Sequence, residues 1–288
     1  MDLPGLQESS HAEVPASKVA EARRRVSEKF PGLRIGTSGY SFPDWIGTYY
    51  PHGTPRGKMF DQYVQDFETV EINSTYYGIP HPRVFAAMEK KAPPGFDFIV
   101  KTHGSFTHER DQADTNIPKL LEAVSPLNDS GRLNGLLAQF PYSFKYSPAG
   151  LDYIRAKNDR LQSIPLFVEF RHDSWLRTDV KEALRAERIG YSNVDEPQLP
   201  HLLPPESDAT TATGYIRLHG RNAEKWWDGG AERYNYAYTD NQLREWVQRL
   251  ESLRQKADRI YVFFNNCHLG RAVKDAQRLM ELLTDEDA

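Results

Sequence analysis

A single (β/α)8 barrel of the TIM-like kind is the fold class this sequence predicts. Three observations predict it. Eight short apolar runs each end in polar residues, helical segments alternate with them, and the series fills most of the 288 residues. Strict alternation of strand and helix demands a parallel sheet, because parallel neighbours need a crossover connection. Eight such units in roughly 250 residues is the size of one closed barrel. An open doubly wound sheet is the alternative, but no GxGxxG turn follows any of the strands.

The first 30 residues read as an N-terminal tail and helix, and 31–288 as the barrel. Residues 1 to about 15 are polar, hold Pro4, Gly5 and Pro15, and read as disordered. A Lys- and Arg-rich helix over 16–29, ended by Pro31-Gly32, would cap the underside of the barrel. The first strand is Arg34–Ser38. A long aromatic loop, 40–57, leads to a helix with Met59, Phe60, Tyr63, Val64 and Phe67 at helical spacing. The second strand is Thr69–Asn73, followed by a helix opened by Pro82. The third is Phe96–Lys101, with its helix starting near Pro118. The fourth is Leu136–Phe140, its helix capped by Ser147 and opened by Pro148. The fifth begins LFVEFRHDSW (166–175), with Thr178 capping the next helix. The sixth is Gly190–Asp195, before a Pro- and Thr-rich excursion over 197–213. The seventh is Gly214–His219. A capping box of Thr239 and Gln242 opens the helix after it. The eighth is Ile260–Asn266, and a last helix buries Ala272, Val273, Ala276, Leu279 and Met280.

Composition narrows the classes of function. Lys+Arg 36 against Asp+Glu 40 gives a net charge of -4, which demands neither nucleic acid nor an anionic membrane as partner. The lone Cys267 excludes an internal disulfide and any CxxC site. No apolar run reaches the ~18 residues of a membrane span, and the N-terminus lacks a signal-peptide pattern. A cytoplasmic protein with a small-molecule substrate is the expectation, its oligomeric state open.

Barrels of this class carry their sites at the C-terminal ends of the strands. Those ends here read Ser38, Asn73, Lys101, Gln139, Glu169 with Arg171, Asp195, His219, and Asn265 with Asn266. Strand residues alternate faces, so Glu169 and Arg171 share one, as do Arg217 and His219. Glu169 and His219 are candidates to move protons. Glu71 and Asp195 would position them or hold an ion, and His108 and His172 titrate in the useful range. Lys101, Arg171 and Arg221 would hold negative charge. Asn73, Gln139, Asn265 and Asn266 would orient hydroxyls. Arg217 either joins the site or pairs with Glu169 or Glu71 as wall support. Trp226, Trp227, Tyr234, Tyr236 and Tyr238, with Gly229-Gly230 between, could form a lid. A divalent metal is open: HxH and HExxH are missing, but Glu169, His219 and Asp195 could converge on an ion.

Seven stretches carry a family resemblance: IGTSGYSFPDW (35–45), FETVEINSTYYGIP (67–80), FIVKTHGSFTH (98–108), LLAQFP (136–141), VEFRHDSW (168–175), IRLHGR (216–221) and VFFNN (262–266). Together they resemble the YecE-like family, a domain of unknown function loosely described as sugar-isomerase-related. The resemblance implies a TIM-like barrel and no particular activity. It marks Tyr76, Lys101, His108, Gln139, His172, Arg217 and Arg221 among the signature positions. Where the family typically has Asp after the paired asparagines, this chain has Cys267.

Three functions are compatible with these residues. One is an enzyme of acid/base chemistry on a small anionic or polyol-like substrate, with aldose–ketose isomerisation as one example by analogy of fold. Another is a metal-assisted phosphodiester hydrolase, possibly on nucleic acid, with aromatics stacking bases. The third is a non-catalytic binding barrel.

Overall fold

Parallel pairing closes the sheet. The strands are β1 (Leu33–Thr37), β2 (Thr69–Ile72), β3 (Asp97–Lys101), β4 (Leu133–Gln139), β5 (Leu166–Glu169), β6 (Gly190–Asp195), β7 (Thr213–Leu218) and β8 (Arg259–Phe264). They run in the order 1-8-7-6-5-4-3-2, and a bridge between Ser38 and Glu71 joins β1 to β2. This is the expected (β/α)8 barrel. The structure, a computed structural model, describes residues 17–285, so the tail expected over 1–15 lies outside the described residues.

The seam between β1 and β2 depends on Gly36. A Cβ there would sit 2.5 Å from the Thr69 carbonyl oxygen. Inside the barrel, Ile99, Leu137, Phe167, Tyr215, Tyr261 and Phe263 form a closed apolar plug. Gly190 makes room for it, because a Cβ would meet the Phe167 ring at 2.3 Å. The plug seals the barrel axis, so polar side chains above it can face only the C-terminal mouth.

Helices α1 (Lys18–Lys29), α2 (Arg56–Asp66), α3 (Pro82–Lys91), α4 (Ala113–Asp129), α5 (Pro148–Asn158), α6 (Thr178–Ala186), α7 (Asp240–Leu253) and α8 (Arg271–Thr284) surround the sheet. Helix α1 buries Val19, Ala22 and Val26 and packs against α8, α2 and β1. The Ser147 cap and the Thr239–Gln242 capping box form as expected.

Three expectations are corrected. Helix α4 starts at Ala113, with Pro118 and Pro126 inside it. Burial of Ala113 and Ile117 draws the first turn into the helix ahead of Pro118. Thr178 is the first helical residue rather than the cap, and Arg177 precedes it without a side-chain cap. The Asp179 carboxylate instead accepts the Val180 N–H and the Arg177 guanidinium. Finally, among the described residues no helix joins β6 to β7, so the alternation breaks at the Pro-rich excursion.

Candidate functional site

Strand parity decides which polar side chains meet. On β7, Tyr215, Arg217 and His219 share the inner face; on β5 and just past it, Glu169 and Arg171 do; on β2 it is Glu71 and Asn73. The outcome is one connected cluster. The Arg217 guanidinium donates to Glu169 Oε2 at 2.8 Å and to Glu71 Oε1 at 2.7 Å. Glu71 also accepts from the Tyr215 hydroxyl at 2.6 Å and the Asn73 amide at 3.0 Å. Arg171 Nε lies 2.6 Å from Glu169 Oε1, off the axis of a hydrogen bond, so that pair is chiefly Coulombic. Arg217 therefore pairs with both carboxylates and supports the wall.

His219 is fully enclosed. Asn265 donates toward its Nδ1 at 2.9 Å, the Arg171 Nη2 donor lies 3.1 Å from its Nε2 and 3.4 Å from its Nδ1, and Glu169 Oε1 stands 3.2 Å from Nε2. Burial, aided by Arg171, holds His219 down at about 3, so it is neutral near pH 7. Burial alone would raise Glu169, but Arg171 and Arg217 outweigh it and keep the carboxylate well below its ordinary range. Arg171 also reaches Glu196 Oε2 at 3.1 Å. Burial pushes Glu196 up to about 7 against that partner.

Lys101 stands at the end of β3, half-buried. Its Nζ donates to Gln139 Oε1 at 2.9 Å and lies 4.6 Å from the centre of the Tyr76 ring. Burial, then the Arg217 charge, lowers it to about 7. His108 packs edge-on to the same Tyr76 ring at 5.1 Å, and burial and Lys101 lower its pKa. On the other side, Trp226 lies under the Arg171 guanidinium at 5.7 Å. Tyr142 bridges His172, at 5.0 Å, and the half-exposed Trp227, at 4.8 Å.

Parity turns Asp195 and Asn266 away, and Arg221, past the end of β7 and the left-handed Gly220, follows Asp195. Asp195 shares its face with Tyr191 and Asn193, and it binds Arg221 Nε at 2.7 Å together with the Trp246 indole of α7. Arg221 is thereby spent on Asp195 and Glu245. Asn266 donates to Asp275 of α8 at 2.6 Å and to the Tyr236 carbonyl. Glu196, one residue past Asp195, is the acid that faces Arg171. Sequence reasoning stopped at the strand end and missed it, although counting parity onward from Ser192 would have found it. Cys267 is buried, its Sγ 3.4 Å from the Ser38 carbonyl, and burial pushes its thiol up.

Glu169, His219 and Asp195 do not converge on an ion position, since guanidinium groups occupy both acids. The His/Asp grouping among the described residues that could hold a metal is His172, Asp173 and His201. It sits beside the mouth, past the ends of β5 and β6.

A cavity of about 720 Å³ opens at the N-terminal ends of β5 and β6, opposite the mouth. Another of about 330 Å³ is lined by Phe42, Ile72, Tyr77, Phe85 and Met88 and shares Asn73 and Ser38 with the cluster. No helix among the described residues is long and apolar enough to cross a membrane.

Residues 34–288 match the family model described as "Protein of unknown function DUF72". The UPF0759 protein YunF of Bacillus subtilis (strain 168) is 30% identical over 275 residues, covering 88% of this chain and 95% of that protein. A crystal structure of a DUF72 family protein from Thermotoga maritima MSB8 superposes with a TM-score of 0.82 at 37% identity, over 88% of this chain and 99% of that one. One from Enterococcus faecalis V583 gives 0.79 at 24% identity, over 88% and 96%, a likeness in fold alone. These descriptions carry a family and no reaction, sugar isomerisation included.

Proposed function

This chain belongs to the DUF72 family, and from that premise we propose that it is an enzyme of acid/base chemistry on a small anionic, polyol-like substrate held at the C-terminal mouth of the barrel. One observation carries the reading. The reachable side chains of the cluster are Lys101, Arg171, Asn73, Gln139 and Asn265, whereas the carboxylates beneath them are already matched by Arg217 and Arg171. A rim of cations and amides over a compensated floor suits an anionic group with hydroxyls attached.

In this reading Lys101 and Glu196 are the groups poised to exchange protons near neutrality. Glu169 and His219 are positioning residues that hold Arg171. The test is calorimetric titration of inorganic phosphate and glycerol 3-phosphate into the wild type, Arg171→Met and Lys101→Met. Saturable one-to-one binding, weakened at least tenfold in Arg171→Met, is the expected result. No binding of either anion, or equal affinity in all three proteins, contradicts it.

A second reading, metal-assisted phosphodiester hydrolysis, is favoured by the His172–Asp173–His201 grouping. Asp173 lies 3.2 Å from each imidazole Nδ1, near the ligand spacing of a tetrahedral ion with bonds of about 2.0–2.2 Å. However, His172 Nδ1 already accepts the Ser174 N–H at 3.1 Å, which competes with a metal. Stoichiometric zinc or manganese by elemental analysis, lost in His201→Ala, would favour this reading; binding of neither metal under titration counts against it.

A further inference from the structure

We propose that Lys101 is a covalent nucleophile, its amine forming an imine with the carbonyl group of an anionic aldehyde, ketone or 2-oxo acid bound at the mouth. The inference deepens the function proposed above and rests on it. It starts from the partners of the amine. Lys157 and Lys181, whose side chains are also largely covered, end on carboxylates: Asp114 at 2.6 Å and Glu206 at 2.8 Å. Lys101 ends on an amide oxygen instead, and among the described residues it forms no ion pair. The two nearby carboxylates, Glu71 and Glu169, are taken by Arg217.

The amide partner is fixed. Gln139 Nε2 donates to the Phe140 carbonyl at 3.0 Å, so its oxygen end must face Nζ. One hydrogen of the amine is held there, and the Tyr76 ring covers another side. The residue keeps part of its surface exposed at the C-terminal end of β3, which is where a small carbonyl compound would approach. Arg171, paired with Glu169 on the strand next to Gln139 and with Glu196, is the partly exposed guanidinium at this end of the barrel that the anionic end of such a compound would share.

The chemistry also needs free base. An ordinary lysine, with a pKa near 10.4, is deprotonated to about four parts in ten thousand at pH 7. Lys101, at about 7, is close to half deprotonated. The lone pair of the neutral amine attacks the carbonyl carbon, and one N–H proton passes to the oxygen to give the carbinolamine. Departure of hydroxide with a second proton, as water, leaves the C=N bond. The balance is amine plus carbonyl to imine plus water, with no oxidant or reductant. Protonation of the imine nitrogen then makes the adjacent C–H acidic.

The experiment is reductive trapping on the full chain. Glyoxylate and dihydroxyacetone phosphate are each incubated with the protein at pH 7 and reduced with cyanoborohydride. Adducts are then read by intact mass and peptide mapping. One adduct per chain on the Lys101 peptide is expected, with a rate that rises with pH to a midpoint near 7. It should be absent in Lys101→Arg whose melting transition is retained. Labelling at Lys101 no faster than at the exposed Lys58, or none, overturns the proposal. The phosphate titration of the wild type separates the two failures: binding without trapping removes only the imine, while absence of both removes the site as well.

Discussion

Arg217 is the residue on which the floor of the mouth rests. It is almost fully buried between two buried carboxylates. Breaking a buried ion pair strands the remaining charge and costs about 3–5 kcal/mol. Arg217→Met is therefore expected to lose at least that much in urea denaturation, more than any surface pair such as Arg177–Asp179 is worth. Glu196 makes a prediction in pH. Folded, it keeps its proton up to about 7; unfolded, it loses it near the ordinary carboxylate value of about 4.3. Between these values the folded chain binds the extra proton, so this group's contribution to stability falls as pH rises. His219 has the opposite sign. Its folded value is about 3 against about 6.5 unfolded, so its contribution grows with pH over that window. The two oppose each other where the windows overlap. Glu196→Gln removes one of them, so the variant should gain stability relative to the parent between pH 5.0 and 7.5. A difference that is the same at both pH values contradicts the assignment. At this scale the run LFVEFRHDSW (166–175) was informative, because a carboxylate and a guanidinium two residues apart on a buried strand must find partners or a cavity. Asp195 and Asn266 misled, because a strand end fixes a residue's height in the barrel and only parity fixes its face.

Among the elements, the β1–β2 seam is the most exacting. Among the described residues these strands meet in a single bridge, Ser38–Glu71, with the Tyr63 hydroxyl linking the Thr37 N–H to the Thr69 carbonyl, and that carbonyl approaches Gly36 too closely for a side chain. Gly36→Ala should cost about 1–3 kcal/mol by overpacking. Because Glu71 belongs to the bridge, it should also weaken anion binding at the mouth. Thermal melts and phosphate titration of the variant test both effects, and an unchanged melt would show that the seam relaxes freely. The strands and their order of appearance were legible, since each is a short apolar run bounded by turn residues. Helix starts were less so. Pro118 looked like a first-turn proline, but burial of Ala113 and Ile117 outweighed the local rule. The missing helix between β6 and β7 had left its sign in the Pro-rich stretch 197–213, which cannot sustain helical hydrogen bonding.

For the whole molecule, the barrel's geometry turns a scattered set of polar residues into one site. Glu71 and Arg217 are 146 positions apart in the chain and 2.7 Å apart in space. No local pattern reports such a meeting; only the closure of the sheet does. The apolar plug beneath closes the axis, so a ligand approaching the cluster must come from the C-terminal face. The substrate's identity was not legible, because the same rim of lysine, arginine and amides accepts many small anions. Crystals soaked in selenate, an anomalously scattering oxyanion, give the most direct test of the mouth as an anion site. The account predicts an anomalous peak within hydrogen-bonding distance of Arg171 and Lys101, lost in Arg171→Met; selenate bound only elsewhere, with the mouth empty at saturating concentration, would contradict it.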